Sequence, residues 1–457
     1  MTVFEGLLST PEMRELWGER SLLQAMLDFE AALARAEAEA GLIPQSASRS
    51  IAAACTADRF DAAAIVAASA RAGSLAIPLV KSLTGAVAAI DAEAARWVHW
   101  GSTSQDVIDT ANALVTRRAL ALVEHDLDRL IAALFALAEG HGDAPVLART
   151  LLQPAQVVSF GLKLSHWVAP LVRARDRLAR DAATALRLQL GGAVGTLAVL
   201  GGQGPEVAHR MAEALQLAPP EAAWHTERDE WVALGAGVGL LAGSLAKLAR
   251  DWSLLGQAEV GEVAEPAGEG RGGSTAMPHK RNPVACMLAL AAAERVPARV
   301  AALLHAMAQE HERGLGNWQA ELAEWAGLFV AVHGGLKALA DTAEGLQVDA
   351  ERMRANIDRL HELVYAEALA TRLAATLGKA RAHALVEGWS QTALRERRWL
   401  SEVAREALVA DASQHDAIDD AEWDALFDPD AAAAPARRLA GPRLVALRAQ
   451  WQAGRPR

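Results

Sequence analysis

Residues 265–283 hold the densest group of polar side chains that could do chemistry. Hydroxyl, ammonium and amide groups lie close together there, at Ser274, Thr275, Lys280 and Asn282. These groups can donate and accept hydrogen bonds, and the ammonium of Lys280 supplies positive charge. Four glycines in the segment permit unusual backbone dihedrals, and long loops of this kind inside helical proteins are usually functional. Composition alone leaves a flexible surface connection with incidental charge equally acceptable.

Long helices must position this loop. The chain is rich in alanine and leucine, has few β-branched runs and shows no sustained alternation of apolar and polar residues, which predicts an all-α fold. Several periodic segments far exceed the usual helix of about 10–14 residues. They cover residues 110–139, 156–187, 227–256, 283–310 and 319–345. The third is apolar on more than one face and contains many small residues, so we expect it inside a bundle whose partners include other copies of the chain. A monomeric bundle is the alternative.

The limits of the long helices suggest three domains. Residues 1–112 form an N-terminal helical domain of shorter helices, and residues 113–348 form a central bundle that serves as the oligomerisation core. Residues 349–457 return to shorter, charged helices and form a C-terminal helical domain.

Composition excludes several classes of protein. The 457 residues carry a net charge of −11, which argues against nucleic acid as the main partner. Cys55 and Cys286 form neither a metal-binding spacing nor a disulfide framework, so we expect a reducing compartment. The N-terminus has no basic region before an apolar stretch, and no apolar run reaches the length of a membrane span, so we expect a cytoplasmic protein without a membrane partner. The glycine-rich run at 191–204 has no strand before it and no Lys-Ser/Thr after it, so a turn between helices is expected there rather than a phosphate loop.

Residues 273–283 then provide a recognisable pattern. They read Gly-Ser-Thr-Ala-Met-Pro-His-Lys-Arg-Asn-Pro and closely resemble the signature of the fumarase/aspartase superfamily, Gly-Ser-Ser-x-Met-Pro-x-Lys-x-Asn-Pro. Thr275 replaces the second serine and keeps a hydroxyl. Residues 99–110, His-Trp-Gly-Ser-Thr-Ser-Gln-Asp-Val-Ile-Asp-Thr, resemble the first conserved region of the superfamily. Residues 149–155, Arg-Thr-Leu-Leu-Gln-Pro-Ala, resemble the second, so the resemblance covers most of the chain.

The resemblance implies a three-domain fold around a central bundle of long helices, and a homotetramer in which each active site takes residues from three chains. It implies chemistry at the carbon next to a carboxylate, through an aci-carboxylate, with neither a metal nor an organic cofactor. Ser274 matches the serine that moves the α-proton, and Lys280 and Asn282 match groups that hold a substrate carboxylate. The remaining substrate-binding candidates from the three regions are Thr103, Ser104, Gln153, Thr275 and Met277.

Two branches of the superfamily compete. Adenylosuccinate lyases share the Met-Pro-His-Lys-Arg-Asn-Pro run, but Leu151 stands where their Arg-Thr-His motif has a proton-donating histidine. Ser74 stands near the place of a second histidine. Trp318 and Leu322 replace a serine and an arginine of their phosphate-binding segment. Such a lyase, or another that acts on a succinyl-type substrate, is the alternative.

The departures fit the bacterial 3-carboxy-cis,cis-muconate cycloisomerases of aromatic-compound degradation (the β-ketoadipate pathway). Closing a lactone uses the substrate's own carboxylate as nucleophile, and a carboxylate of pKa about 4 needs no base to attack. A leucine at position 151, where a proton donor would otherwise be required, is then compatible with the reaction. What remains is delivery of a proton to the α-carbon, which we assign to Ser274 as a general acid.

A small polycarboxylate substrate of this kind carries about three negative charges at pH 7, so its pocket must be cationic. The candidates are Lys280 and Arg313, followed by Arg281 and His99.

Each candidate also has a structural interpretation. Arg313 could form a surface ion pair with Glu310 or Glu312, and His99, like His279, could be a structural histidine. Trp318 is expected to be a pocket wall or a core residue.

Overall fold

The structure is a computed structural model that describes residues 3–268, 272–273, 277, 280–410 and 418–454. Long helices dominate it, namely α7 (Ser104–His141), α8 (Phe160–Ala185), α10 (Asp229–Leu255), α11 (Val284–Ala306) and α12 (Asn317–Ala343). The shorter helices before them are α1 (Val3–Leu7), α2 (Pro11–Leu16), α3 (Glu19–Glu39), α4 (Gln45–Ala54), α5 (Ala62–Ala72) and α6 (Ala76–Ala88), and α9 (Gly204–Leu215) lies between α8 and α10. The C-terminal helices are α13 (Ala350–Asp358), α14 (Ala366–Leu377), α15 (Lys379–Glu396), α16 (Leu400–Ala410), α17 (Asp420–Leu426) and α18 (Pro429–Ala453).

The all-α class is confirmed, and each of the five predicted long segments overlaps one long helix over most of its length. The described strands form two antiparallel pairs, β1 (Pro145–Thr150) with β2 (Gln153–Ser159) and β3 (Val263–Ala264) with β4 (Gln347–Val348).

The β1–β2 hairpin corrects one prediction. Periodicity predicted that a helix begins at residue 156, but α8 begins at Phe160 because the preceding residues pair with β1. Thr150 pairs with Gln153, so the turn consists of Leu151 and Leu152, with φ of 52° and 65°. Leucine rarely adopts this left-handed conformation, so the residue types at these two positions do not predict a turn.

The chain divides into two compact units. Unit 1 comprises residues 1–128, 173–246 and 288–338, and unit 2 comprises residues 129–172, 247–287 and 339–457. The three sequence domains, 1–112, 113–348 and 349–457, stay a prediction.

Small residues on α10 allow close packing inside unit 1. A Cβ on Gly235 would lie 2.9 Å from the ring of Trp325, and one on Gly239 would lie 2.7 Å from a methyl of Val300. The rings of Trp231 and Trp325 stack with their centroids 4.0 Å apart. The glycines of α10 therefore bring it against α11 and α12 without steric conflict.

In unit 2, α14, α15, α16 and α17 share a buried apolar core. A second cluster joins the β1–β2 hairpin to the following helices through Leu147, Val157, Ile357 and Tyr365.

Among the described helices, α10 is long and apolar enough to cross a membrane, by length and composition only. Just over half of its most apolar stretch is buried inside the protein, 56%. The core helix of a soluble protein passes the same test, so this is weak evidence for a span.

Candidate active site

The first conserved region is held together by Asp106, in the first turn of α7 in unit 1. Its carboxylate is fully buried and accepts hydrogen bonds from the backbone N–H groups of Thr103 (3.0 Å), Gly191 (3.0 Å) and Gly192 (2.9 Å). The ring Nε2 of His225 lies 2.7 Å from the same carboxylate. One buried charge thus joins the start of α7, the glycine-rich run and the segment before α10. Asp106 therefore fixes the backbone of Thr103, and Ser104 is the next residue and the first of α7.

The glycine-rich run is a connection between α8 and α9, as expected from the sequence. Gly192 has φ of +68°, and a Cβ there would lie 2.9 Å from the carbonyl oxygen of Gly101. A Cβ on Gly191 would lie 2.4 Å from the Cβ of Ala223. Side chains are excluded at both positions, which lets the two amides approach the carboxylate of Asp106.

Arg313 lies beside this junction, between α11 and α12. Its guanidinium donates to Thr103 Oγ1 (3.2 Å) and to the carbonyl oxygens of Gly192 (3.3 Å) and Ala193 (2.8 Å). These acceptors are neutral. Within the part of the chain that the structure describes, Arg313 forms no ion pair with Glu310 or Glu312, so that interpretation was wrong. The carboxylate of Glu310 instead accepts from the backbone N–H of Leu315 (2.9 Å).

His99 is half-buried in the same region, with φ of 60°. Its Nδ1 lies 2.7 Å from Oε1 of Glu30, a fully buried residue of α3, and 2.9 Å from Ser102 Oγ. Burial lowers the pKa of His99, but the charge of Glu30, its hydrogen bond and the charge of Asp106 outweigh this, so the pKa is raised above its ordinary value.

A buried ionic network lies behind the first region. Arg228 contacts Asp109 (3.0 Å) and Glu321, and all three side chains are about 1% exposed. Burial alone would lower the pKa of Arg228, but the charges of Asp109 and Glu321 raise it. The indole Nε1 of Trp318 donates to Asp109 Oδ1 (2.9 Å), so Trp318 is a core residue that also supports this network.

In unit 2, the second conserved region forms the β1–β2 hairpin. Arg149 makes a bidentate pair with the buried Glu262 (2.7 and 3.0 Å), which also accepts from Asn356 Nδ2 (2.8 Å). The guanidinium of Arg149 therefore anchors the hairpin through its pair with Glu262. At the turn, Leu151 is 97% exposed and the adjoining Gln153 is also exposed.

The signature loop is described only in part. Ser274 and Thr275, together with His279, lie outside the described residues. Met277 and Lys280 are exposed, and Asn282 is half-buried with its backbone N–H on Gly272 O (2.9 Å).

The glycine at the base of this loop and the start of α11 show how the loop is anchored. Gly272 has φ of +64°, and a Cβ there would lie 2.7 Å from the carbonyl oxygen of Asn282, so glycine is required. The carboxylate of Glu265 accepts from the backbone N–H groups of Ala285 and Cys286 (both 3.1 Å), which satisfies the first turn of α11.

The structure therefore brings Thr103, Ser104, His99 and Arg313 together in unit 1. Gln153, Met277, Lys280 and Asn282 lie in unit 2. Sequence reasoning gave no role to Glu30 or to the network partners of Arg228. For Glu30 a signal existed, since Leu23, Glu30 and Glu37 repeat every seven residues along an otherwise apolar face of α3.

Among the described residues, no group of three or more His, Cys, Asp or Glu side chains is placed to hold a metal ion.

Comparison with known proteins agrees with this architecture. Residues 7–298 match the family model described as Lyase. The chain belongs to this family, the fumarase/aspartase superfamily. It is 50% identical to a 3-carboxy-cis,cis-muconate cycloisomerase of Bradyrhizobium diazoefficiens over 93% of each chain. It is 49% identical to the enzyme of the same name from Pseudomonas aeruginosa, over 93% of this chain and 92% of that one.

Among solved structures, the chain resembles the 3-carboxy-cis,cis-muconate lactonizing enzyme of Pseudomonas putida. The TM-score is 0.91 at 44% identity, and the match covers 98% of this chain and 99% of the other.

Proposed function

We propose that this protein is a 3-carboxy-cis,cis-muconate cycloisomerase, an intramolecular lyase that forms 4-carboxymuconolactone in aromatic-compound catabolism. The observation that carries the proposal is the 50% identity to a cycloisomerase of this name over 93% of both chains. The arrangement of the site residues supports it, as does the leucine where a lyase of the adenylosuccinate type has its acidic histidine.

The reaction consists of one addition and one proton transfer. A carboxylate oxygen of the substrate bonds to the carbon β to a second carboxylate, and the π electrons of that carbon–carbon double bond move into the second carboxylate. The resulting aci-carboxylate then takes a proton at its α-carbon. We assign this proton to the Ser274 hydroxyl, which regains one from solvent, and Lys280 stabilises the alkoxide in between.

Leu151 is compatible with this chemistry. The attacking group is an ionised carboxylate, so neither a base for attack nor an acid for the reverse departure is required. A lyase that expels an amine would need such an acid, and an exposed leucine cannot provide one.

Binding of the substrate requires positive charge. Arg313 supports this role best, because its guanidinium contacts only neutral oxygens within the described chain while it is held beside Thr103. We assign substrate carboxylates to Arg313, His99, Lys280 and Asn282. Thr103, Ser104, Gln153, Thr275 and Met277 complete the proposed pocket.

We further infer a cytoplasmic homotetramer whose sites combine the three conserved regions from different chains. Leu151 and Leu152 support this inference, because they leave large apolar surfaces uncovered at a strained turn, 97% and 71% exposed.

An ultraviolet assay tests the proposed function. Loss of the diene absorbance of 3-carboxy-cis,cis-muconate, with product identified as 4-carboxymuconolactone, is the expected result. Adenylosuccinate is offered in parallel under the same conditions. Turnover of adenylosuccinate alone would overturn the assignment in favour of a succinyl-substrate lyase.

A further inference from the structure

The side chain of Glu30 lies in the interior of unit 1 and contacts one of the proposed substrate-binding groups. Glu30 is 1% exposed, and its Oε1 lies 2.7 Å from Nδ1 of His99. A buried carboxylate without an ion-pair partner is costly, so a cationic imidazole at this distance compensates its charge. The other oxygen, Oε2, has no hydrogen-bond partner in the described structure.

The ring of His99 has two ends with different surroundings. Nδ1 faces inward to Glu30 and Ser102 Oγ (2.9 Å). A carboxylate only accepts, so Nδ1 carries the proton of this bond. The other ring nitrogen, Nε2, has no hydrogen-bond partner within the residues that the structure describes, and 19% of the side chain is exposed.

A second buried glutamate on α3, Glu37, differs from Glu30 in that it has no imidazole hydrogen-bonded to it in the described part of the chain. Glu37 is fully buried and neither of its oxygens has a partner in the described structure. Burial, followed by the charge of Glu30, raises the pKa of Glu37 to about 9. At neutral pH Glu37 is therefore protonated.

We propose that Glu30 is a positioning residue for the lactonisation site: its buried carboxylate holds His99 as an imidazolium with Nδ1 inward, so that Nε2–H donates to a substrate carboxylate. The proposal rests on the function proposed above and names one of its anion-binding groups. Glu30 contacts no substrate itself and acts through His99.

The pH dependence follows from the charges around His99. In the described part of the chain, the groups that face it are Glu30 on α3, the more distant Asp106 on α7 and the neutral hydroxyl of Ser102. The cation exists below the raised pKa of His99 and is lost above it, so substrate affinity should fall as pH rises through that value. Glu30→Gln removes the main stabilising charge and should move this loss to lower pH.

Kinetics of 3-carboxy-cis,cis-muconate turnover between pH 5.5 and 9 test the proposal. For Glu30→Gln at pH 7.5 we expect KM to rise about 10- to 100-fold with a smaller change in kcat, and the alkaline limb of kcat/KM to move to lower pH. His99→Asn should lose that limb, and the double variant should be no worse than His99→Asn alone. Glu37→Gln is the matched control, a buried glutamate on the same helix that is already neutral, and it should leave the limb in place.

Modification by diethyl pyrocarbonate gives a readout that does not depend on turnover. The reagent acylates neutral imidazole, so the pH midpoint of His99 labelling, followed by peptide mass spectrometry, reports its pKa. The midpoint should be lower in Glu30→Gln than in the wild type and unchanged in Glu37→Gln.

The outcomes separate the two proposals. Active enzyme whose labelling midpoint and alkaline limb are the same in wild type and Glu30→Gln overturns the role of Glu30 and leaves the proposed function intact. A wild type that labels as expected but leaves carboxymuconate unchanged overturns the function, and with it the substrate contact of His99. Circular dichroism and the urea midpoint of each variant exclude loss of fold as the cause.

Discussion

Replacing Arg228 by methionine tests whether the buried network behind the first conserved region is essential for stability. Arg228 donates from Nη1 to Asp109 (3.0 Å) and from Nε to Glu321 (3.1 Å), and its guanidinium lies 4.6 Å from the ring centroid of Trp224. A methionine side chain keeps much of the length of the arginine side chain and removes its positive charge. Two carboxylates would then remain, each about 1% exposed, without their cation.

The expected cost follows from this burial. Removing one partner of a buried ion pair leaves uncompensated charge and costs about 3–5 kcal/mol in the free energy of unfolding. Asp109 still accepts hydrogen bonds from Trp318 (2.9 Å), Gln105 (3.1 Å) and Gln189 (3.2 Å). Glu321 is therefore the carboxylate that the loss of Arg228 destabilises more. The double variant Arg228→Met/Glu321→Leu should therefore recover a large part of the cost.

The pH dependence has a definite sign. Burial raises the pKa of Glu321 even against the opposing charge of Arg228, and loss of Arg228 raises it further. Protonation then relieves the uncompensated charge, so the stability deficit of Arg228→Met should shrink as pH falls from 7.5 to 5.

Urea unfolding followed by circular dichroism, at fixed protein concentration, measures these changes. Arg20→Met is the matched control, because Arg20 makes an equally good bidentate pair with Asp58 (2.7 and 2.8 Å) but both side chains are exposed, 73% and 62%. We expect no measurable change there, since exposed pairs contribute little. Equal stability losses in the two variants would refute the reasoning from burial.

Two further predictions concern a second buried group and the assembly. Glu37→Gln should raise the free energy of unfolding at pH 7 by about 3 kcal/mol. In the folded chain the Glu37 carboxyl keeps its proton up to a pKa of about 9, whereas in the unfolded chain it loses that proton above its ordinary pKa of 4.5. The gain should disappear near pH 4 in urea unfolding, and a gain that is independent of pH would contradict the titration. Ser274→Ala should reduce kcat and Gln153→Ala should reduce kcat/KM, each at least 100-fold, and mixed, exchanged subunits should regain part of the activity in the ultraviolet assay. A mixture as inactive as its components would argue against sites that combine different chains.

The local patterns of the sequence were enough for the helices and the chemistry-bearing loop. The apolar residues and glycines of 227–256 predicted a buried helix, and α10 covers Asp229–Leu255. The signature at 273–283 identified the family, which the comparisons confirm. Both are properties of consecutive residues, so a sequence displays them directly.

The β1–β2 hairpin shows where local patterns are insufficient. Its turn places Leu151 and Leu152 in a left-handed conformation that leucine does not favour by itself. Pairing of the flanking strands, including Val146 with Val158, stabilises a turn that the two turn residues do not encode.

Periodicity and motifs in neighbouring residues were sufficient to predict most of the helical segments, the loop that carries the serine and lysine, and the family that the chain resembles. The pairing of the polar groups became clear only from the folded chain. Glu30 meets His99 across 69 residues, and Asp106 meets His225 across 119. Such pairs form because burial makes an unpartnered charge costly, and burial is known only when distant helices have packed.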